Sequence, residues 1–201
     1  MIFSDTPSSS VTAVGFHTEQ SNGDWSVSWS DLTSYLLAEA EKRFGSRDSR
    51  WFFTGIEYAD VAMPMTYYPA NRPFHVGIRL TRNAAMDARQ AHFQLAHEIV
   101  HLLGPCEEHH AANVFEEGIA AAFQEEMSTL SKLGFSINVA SYRHAMAAVQ
   151  QLQAIDRGAV AKVRAEFPNL RQLTAERLKQ IVPGTSDQLA DTLCAPFARG
   201  E

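Results

Sequence analysis

The stretch His97-Glu98-Ile99-Val100-His101 lies near the middle of the chain, within a segment whose apolar residues have helical spacing. Histidines four residues apart on an α-helix lie on the same face, one turn above the other. Glu98 is rotated by about 100° around the helix axis from His97. This stretch therefore places two imidazoles together and one carboxylate beside them.

Two imidazoles in this arrangement can bind one Zn²⁺ ion at roughly 2.0–2.1 Å each. A carboxylate beside the metal can act as general base for a water whose pKa zinc lowers to about 7. The pattern HExxH encodes both features in five residues. We therefore expect His97 and His101 to be Zn²⁺ ligands and Glu98 to be the catalytic base. Histidines on a helix can also be merely hydrogen-bonded or exposed, but the long helical pattern and the preceding strand favour a metal site.

A catalytic zinc site needs a third protein ligand and one open position for water. Glu117 is the first candidate, in the run NVFEEGIAAAF at residues 113–123. Fifteen residues separate it from His101, enough for a turn, a short loop and a second, antiparallel helix. The small residues Gly118 and Ala120 to Ala122 would let that helix approach the first one closely.

Glu107 is the second candidate, because residues 97–107 have the spacing HExxHxxGxxE. The glycine in this pattern, Gly104, can turn the chain sharply, so that the residue three positions later meets the same metal. The residues alone leave both candidates open.

The sequence around these motifs predicts an α+β fold. A strand-containing first half precedes a long series of helices that are interrupted at glycines and prolines. We expect a small, mostly antiparallel N-terminal sheet packed on the HExxH helix, followed by a helical C-terminal half. The predicted elements are a hairpin over 11–29 with its turn at 21–24, a helix over 31–44, strands over 51–59 and 74–81, and helices from 84 onward, the last over about 139–156, 158–167, 170–181 and 186–194.

The length of 201 residues and the hydrophobic content of 45% suit one globular domain. We expect a single domain over 1–201, with a tail at 1–10, metal-binding helices over 84–127 and a helical subdomain over 135–201. The net charge of −6 offers no basic excess for nucleic acid. Two cysteines 88 positions apart do not form a disulfide framework. The sequence shows no signal peptide and no membrane span, so we expect a cytoplasmic protein with no membrane partner, although export without an N-terminal signal stays open.

HEIVH at 97–101, followed by EEGIA at 116–120, resembles the gluzincin class of zinc metallopeptidases, in their thermolysin-like and aminopeptidase branches. The resemblance covers about residues 74–127. It implies a zincin-like fold with His97, His101 and Glu117 as the zinc ligands and Glu98 as the base. It also implies that the strand over 74–81 is an edge strand that pairs with an extended substrate. Glu116 stands where this class usually has asparagine, and a GxMEN-type exopeptidase motif is missing.

Gly104 and Glu107 give a rival resemblance to metzincins, which normally use His or Asp as the third ligand above a methionine turn. Neither Met127 nor Met146 lies in a sequence typical of such a turn. We therefore favour Glu117 over Glu107.

The expected activity is hydrolysis of peptide bonds in a peptide or protein substrate by a Zn²⁺-activated water. Tyr142, Arg143 or His144 could donate a hydrogen bond to the developing oxyanion, and Asp156 could orient a ligand histidine. Two alternatives remain: a non-catalytic zinc-binding regulator or effector with the same site, and an effector-like protease that acts on one partner protein.

Overall fold

The computed structural model describes residues 17–19, 25–27, 29–106 and 112–199. The predicted tail over 1–10, the predicted hairpin turn over 21–24 and the candidate ligand Glu107 lie outside the described residues. The described part of the chain confirms the expected α+β class, with strands in the first half and helices in the second.

Strands and one helix come first along the chain. They are β1 (His17–Glu19), β2 (Trp25–Val27), α1 (Trp29–Phe44), β3 (Phe52–Ala59), β4 (Met65–Tyr67) and β5 (His75–Thr81). The later elements are α2 (Ala88–His101), α3 (Val114–Leu130), α4 (Ala140–Ile155), α5 (Ala159–Glu166), α6 (Ala175–Ile181) and α7 (Asp187–Cys194), with 3₁₀ turns at Arg82–Ala85 and Leu170–Gln172. Among the described residues, none of the helices has the length and apolar character that crossing a bilayer requires.

The larger sheet is mixed, so the prediction of a mostly antiparallel sheet is wrong. Its strand order is β3-β5-β4. The long pair, β3 with β5, is parallel, and only the short pair, β4 with β5, is antiparallel, as are β1 and β2 in a separate two-stranded sheet. Pro64 and Pro69 limit the segment between them to a short strand, as prolines do at sheet edges.

The strand expected at the edge of the sheet, β5, lies at its centre. It pairs with β3 on one side and β4 on the other, so it has no free side for a substrate. Its apolar residues Val76, Ile78 and Leu80 are buried, which suits a central strand packed on helices. The two edge strands of this sheet are β3 and β4.

Helix α2 carries the HExxH motif and packs between the sheet and α3. It begins at Ala88 rather than at residue 84, because the side chain of Asp87 accepts hydrogen bonds from the backbone N–H groups of Arg89 and Gln90 and so caps it. The side chain of Gln94 joins α2 to β5: its Oε1 accepts from Thr81 N at 3.1 Å, and its Nε2 donates to Thr81 Oγ1 at 2.8 Å. These bonds hold the motif helix in place against the sheet.

Gly118 was expected to let α3 approach the motif helix α2, but it lies against α4 instead. A methyl group at this position would come within 2.4 Å of the Ala145 carbonyl oxygen, so Gly118 permits the close approach of α3 to α4. Adjacent residues on a helix point about 100° apart. Because Glu117 faces α2, its neighbour Gly118 necessarily faces elsewhere.

The later helices contribute to the same hydrophobic core as α1 and the sheet. Leu152 and Val160 are buried, whereas Ile155 is 43% exposed. The segment 170–181 divides into a 3₁₀ turn and α6 instead of forming one helix. Arg164, on α5, is buried and donates hydrogen bonds to the carbonyls of Gly45 at 3.1 Å and Leu103 at 2.9 Å. It thereby ties the segments that follow α1 and α2 to each other.

Candidate metal centre

His97, His101 and Glu117 come together in the interior and can hold a metal ion. Each offers one ligand atom, and these atoms all lie within 4.8 Å of one another. His97 Nε2 lies 3.2 Å from Glu117 Oε2, and His101 Nε2 lies 3.9 Å from Glu117 Oε1. All three side chains are buried. The structure thus brings together the three residues that the sequence predicted as ligands.

The pairing of α2 with α3 produces this arrangement. The start of α3 contacts His101 at the end of α2, while Gln124, two turns later, contacts His97, so the helices run antiparallel. Asn113 caps α3: its Oδ1 accepts from Glu116 N at 2.9 Å, and its Nδ2 donates to the Leu170 carbonyl at 2.7 Å. The cap places the carboxylates of the first turn of α3 against the motif helix.

His101 is oriented by Glu116. Its Nδ1 donates to Glu116 Oε1 at 2.7 Å, and the same carboxylate accepts from Arg171 Nε at 3.0 Å. A carboxylate on Nδ1 fixes the tautomer and leaves the lone pair of Nε2 available for a metal. Glu116 therefore has the orienting role that the sequence analysis expected of Asp156.

His97 is oriented by Gln124 in the same manner. Its Nδ1 donates to Gln124 Oε1 at 3.2 Å. Gln124 Nε2 donates to the Phe93 carbonyl at 3.0 Å, which settles which end of the amide faces the imidazole. The Nε2 atoms of both histidines are thus directed at Glu117.

The charges of the cluster also favour a cation. Burial acts to raise the pKa of Glu117, but the hydrogen bond with His97 and the charges of His101 and His97 lower it to about 2. Burial acts to lower the pKa of His101, but the hydrogen bond to Glu116 and the charges of Glu117 and Glu116 raise it to about 9. A metal ion bound here would replace the His101 proton, since ligation requires neutral imidazole.

Two imidazole nitrogens and one carboxylate are a donor set found in catalytic zinc sites with an open fourth position. The geometry and chemistry of the residues therefore fit a divalent metal ion. Zn²⁺ is one member of the group of ions that such nitrogen and oxygen donors accept.

Glu98 lies beside the cluster with only 3% of its surface exposed. Burial raises its pKa above the usual range, and the negative charge of Glu117 adds to the effect, while both motif histidines oppose it. No described residue forms a hydrogen bond with its carboxylate. Its oxygens therefore remain available to water or to a substrate.

Two adjoining cavities open onto the cluster. The smaller one, about 100 Å³, is lined by the three ligands and by Met65 and Thr66 of β4. The larger one, about 440 Å³, is lined by apolar side chains that include Phe93, Phe135 and Val139. The side chains that border both cavities are those of Pro64, His97, Glu98 and Arg199.

Of the three predicted oxyanion donors, only Tyr142 lines a cavity. Its ring centroid lies 5.5 Å from that of His97. Burial and the charge of Glu117 raise the pKa of Tyr142 to about 12, so the phenol keeps its proton. Arg143 and His144 are exposed and line neither cavity.

Asp156, the predicted orienting acid, lies elsewhere. Its carboxylate pairs with Lys162 and accepts a hydrogen bond from Gly158 N at 2.8 Å. The methionines of the rival metzincin interpretation, Met127 and Met146, lie inside α3 and α4 and form no turn beneath the cluster.

Four residues of the site were missed at the sequence level: Glu116, Gln124, Arg171 and Arg199. The position of Gln124 could have been found from the sequence, because a polar residue seven positions after Glu117 lies on the same face of a helix as this ligand. No sequence pattern indicates that Arg171 and Arg199 belong to the site, because they reach it from distant segments.

Comparisons with protein-family models, with curated proteins and with solved structures found no match to this chain. The resemblance to gluzincins therefore rests on the residues at 97–101 and 116–120.

Proposed function

We propose that this protein is a zinc-dependent peptidase that hydrolyses peptide bonds with a metal-activated water. The Nε2 atoms of two histidines and a carboxylate converge, and the Nδ1 atom of each histidine is held by an acceptor. A glutamate without a hydrogen-bond partner among the described residues adjoins them at an open cleft. A purely structural zinc site would normally be closed by a fourth protein ligand.

A Zn²⁺ ion bound to this cluster supplies a Lewis acid that polarises a carbonyl and lowers the pKa of water to about 7. Glu98 then provides the proton transfers. Its carboxylate accepts a proton from the attacking water and delivers it to the leaving amine. Its position on the wall shared by both cavities and its raised pKa suit a group that alternates between the two protonation states.

Tyr142 provides the hydrogen bond to the oxyanion. Its hydroxyl accepts a hydrogen bond from Arg199 Nε at 2.8 Å, and this leaves its own proton free to be donated. A donor aimed at the developing charge stabilises the transition state more than the substrate.

An extended peptide segment is the substrate that the cleft fits best. Strand β4 has β5 on one side, and its other edge has no strand partner among the described residues. Met65 and Thr66 of this strand line the cavity that holds the cluster. An unpaired edge can bind an extended chain through backbone hydrogen bonds and so place one peptide bond at the metal.

The decisive experiment compares the wild-type protein with Glu98→Gln and with the exposed control Glu176→Gln. Each protein is loaded with Zn²⁺, its metal content is measured by mass spectrometry, and its cleavage of casein and of a peptide library is assayed. We expect all three to hold one Zn²⁺, and Glu98→Gln alone to lose cleavage by about 10²- to 10⁴-fold.

Stoichiometric zinc without cleavage by the wild-type protein would favour the alternative of a non-catalytic zinc-binding regulator or effector. A protein that does not take up stoichiometric metal would refute both functions.

A further inference from the structure

Arg199 borders both cavities at the place where they meet, and the proposed chemistry uses only its Nε–H group. Its Nε donates to the Tyr142 hydroxyl at 2.8 Å, and its guanidinium lies 5.7 Å from the centre of that ring. No described residue forms an ion pair with it. Its two terminal nitrogens therefore remain available for a ligand.

Arg171, the other arginine that lines the smaller cavity, differs from Arg199 because it has an acidic partner. Its Nε and Nη2 donate to the two oxygens of Glu116 at 3.0 and 3.3 Å. It thus has a structural task, which is to hold the carboxylate that orients His101. Arg199 has no such acidic partner in the described part of the chain.

The segment 195–199 is anchored by its backbone. Val114 N donates to the Ala195 carbonyl at 3.0 Å, and Phe197 N donates to the Ala112 carbonyl at 2.7 Å. The ring of Phe197 packs on Tyr142 with 4.9 Å between centroids. These contacts hold Arg199 at the cavities although its side chain is exposed.

Among the described residues, the positive charge of Arg199 acts on the carboxylates of Glu98 and Glu117 and favours their ionised forms. With a divalent ion on neutral histidines, the carboxylates of Glu98 and Glu117 balance the metal, and Glu116 balances Arg171. The guanidinium of Arg199 then adds one positive charge beside the apolar cavity. Arginine binds carboxylates in planar, two-point geometry, and such charge-assisted hydrogen bonds are stronger than neutral ones.

Building on the proposed function, we propose that Arg199 binds a carboxylate of the substrate. The preferred substrate is then a peptide with an apolar side chain in the larger cavity and a carboxylate close to the cleaved bond. An acidic side chain and a chain-terminal carboxylate have the same chemistry, and the experiment separates them.

The test uses fluorescein-labelled peptides of one parent sequence with a central phenylalanine. The two peptides of the first pair differ only in one residue next to the phenylalanine, which is glutamate in one peptide and glutamine in the other, and the pair is made once with this residue before the phenylalanine and once with it after. The two peptides of the second pair end one residue after the phenylalanine, one with a free carboxylate and the other with an amide. Binding is measured by anisotropy on zinc-loaded Glu98→Gln protein, and kcat/KM is measured on the active protein.

We expect acid peptides of at least one pair to bind and react about 10- to 100-fold better than their amide partners. This ratio falls to about one in Arg199→Gln and takes an intermediate value in Arg199→Lys. Arg143→Gln, which removes an exposed arginine outside both cavities, keeps the wild-type ratio. The pair that shows the effect identifies the source of the carboxylate.

A wild-type ratio of about one in both pairs, or an unchanged ratio in Arg199→Gln, overturns the proposal while cleavage itself still supports a peptidase. An Arg199-dependent ratio in binding, without cleavage of any peptide by the zinc-loaded wild type, retains the carboxylate site and refutes the peptidase function.

Discussion

The floor and the rim of the candidate site are built differently. The floor consists of His97, His101 and Glu117 with their partners Glu116 and Gln124, all buried on two packed helices. The rim consists of β4, Tyr142 and the segment 195–199, which reach the cleft from separate parts of the chain. Arg199 is exposed and Tyr142 is only partly buried.

This difference indicates a division of tasks. The floor orients its two histidines through hydrogen bonds from their Nδ1 atoms to Gln124 and Glu116. The rim offers a strand edge, a phenol and a guanidinium toward the open cleft. We therefore expect changes in the floor to alter metal affinity and changes in the rim to alter turnover or substrate choice.

The largest effect is expected for Glu117→Ala, which removes one of three ligands from the floor. This variant should lose stoichiometric zinc, as measured by mass spectrometry after dialysis against a weak chelator. Glu126→Ala is the matched control, because Glu126 lies on the same helix but pairs with Arg43 away from the site.

The same assay applied to Glu107→Ala decides between the two candidate third ligands. We expect this variant to keep its zinc. Loss of zinc from Glu107→Ala together with retention in Glu117→Ala would contradict the described cluster and support the metzincin alternative.

Tyr142→Phe tests the rim. It removes the donor for the oxyanion and should lower kcat by about 10²- to 10³-fold, while the zinc content stays at one. The control is His144→Ala, two residues away on the exposed side of α4, which should retain full activity. A Tyr142→Phe protein that loses zinc instead would show that floor and rim are not separate.

The smallest effects are expected from the partners of the histidines. Glu116→Gln should weaken zinc binding by about 10- to 100-fold, measured by competition with a chelating dye. Gln124→Ala should weaken it by about tenfold, because a hydrogen bond to a neutral amide is weaker than one to a carboxylate. Equal affinity in both variants and the wild type would mean that these partners do not orient the ligands.

Much of the floor was predictable because its geometry is local. The spacing of His97 and His101 on one helix places both imidazoles on one face whatever the rest of the chain does. The small residues after Glu117 indicated a closely packed second helix, although Gly118 proved to face α4 instead of α2. Glu116 departs from the usual gluzincin pattern, and only its contact with His101 shows what its charge does.

The sheet and the rim were less predictable because they depend on non-local pairing. Alternation along residues 74–81 predicts a strand but not which neighbours it has, so β5 was expected at an edge and lies at the centre. Pairing between strands is set by loop geometry and by burial of the whole sheet, which a local pattern does not contain.

Local sequence patterns were sufficient to predict the motif helix, the chemistry of its side chains and the α+β class, because helical periodicity and residue type are local properties. The tertiary structure alone brought Gln124, Arg171 and Arg199 to the site, since they lie 23 or more positions beyond His101. Their roles depend on contacts across separate elements, whose geometry is set by the packing of the whole core.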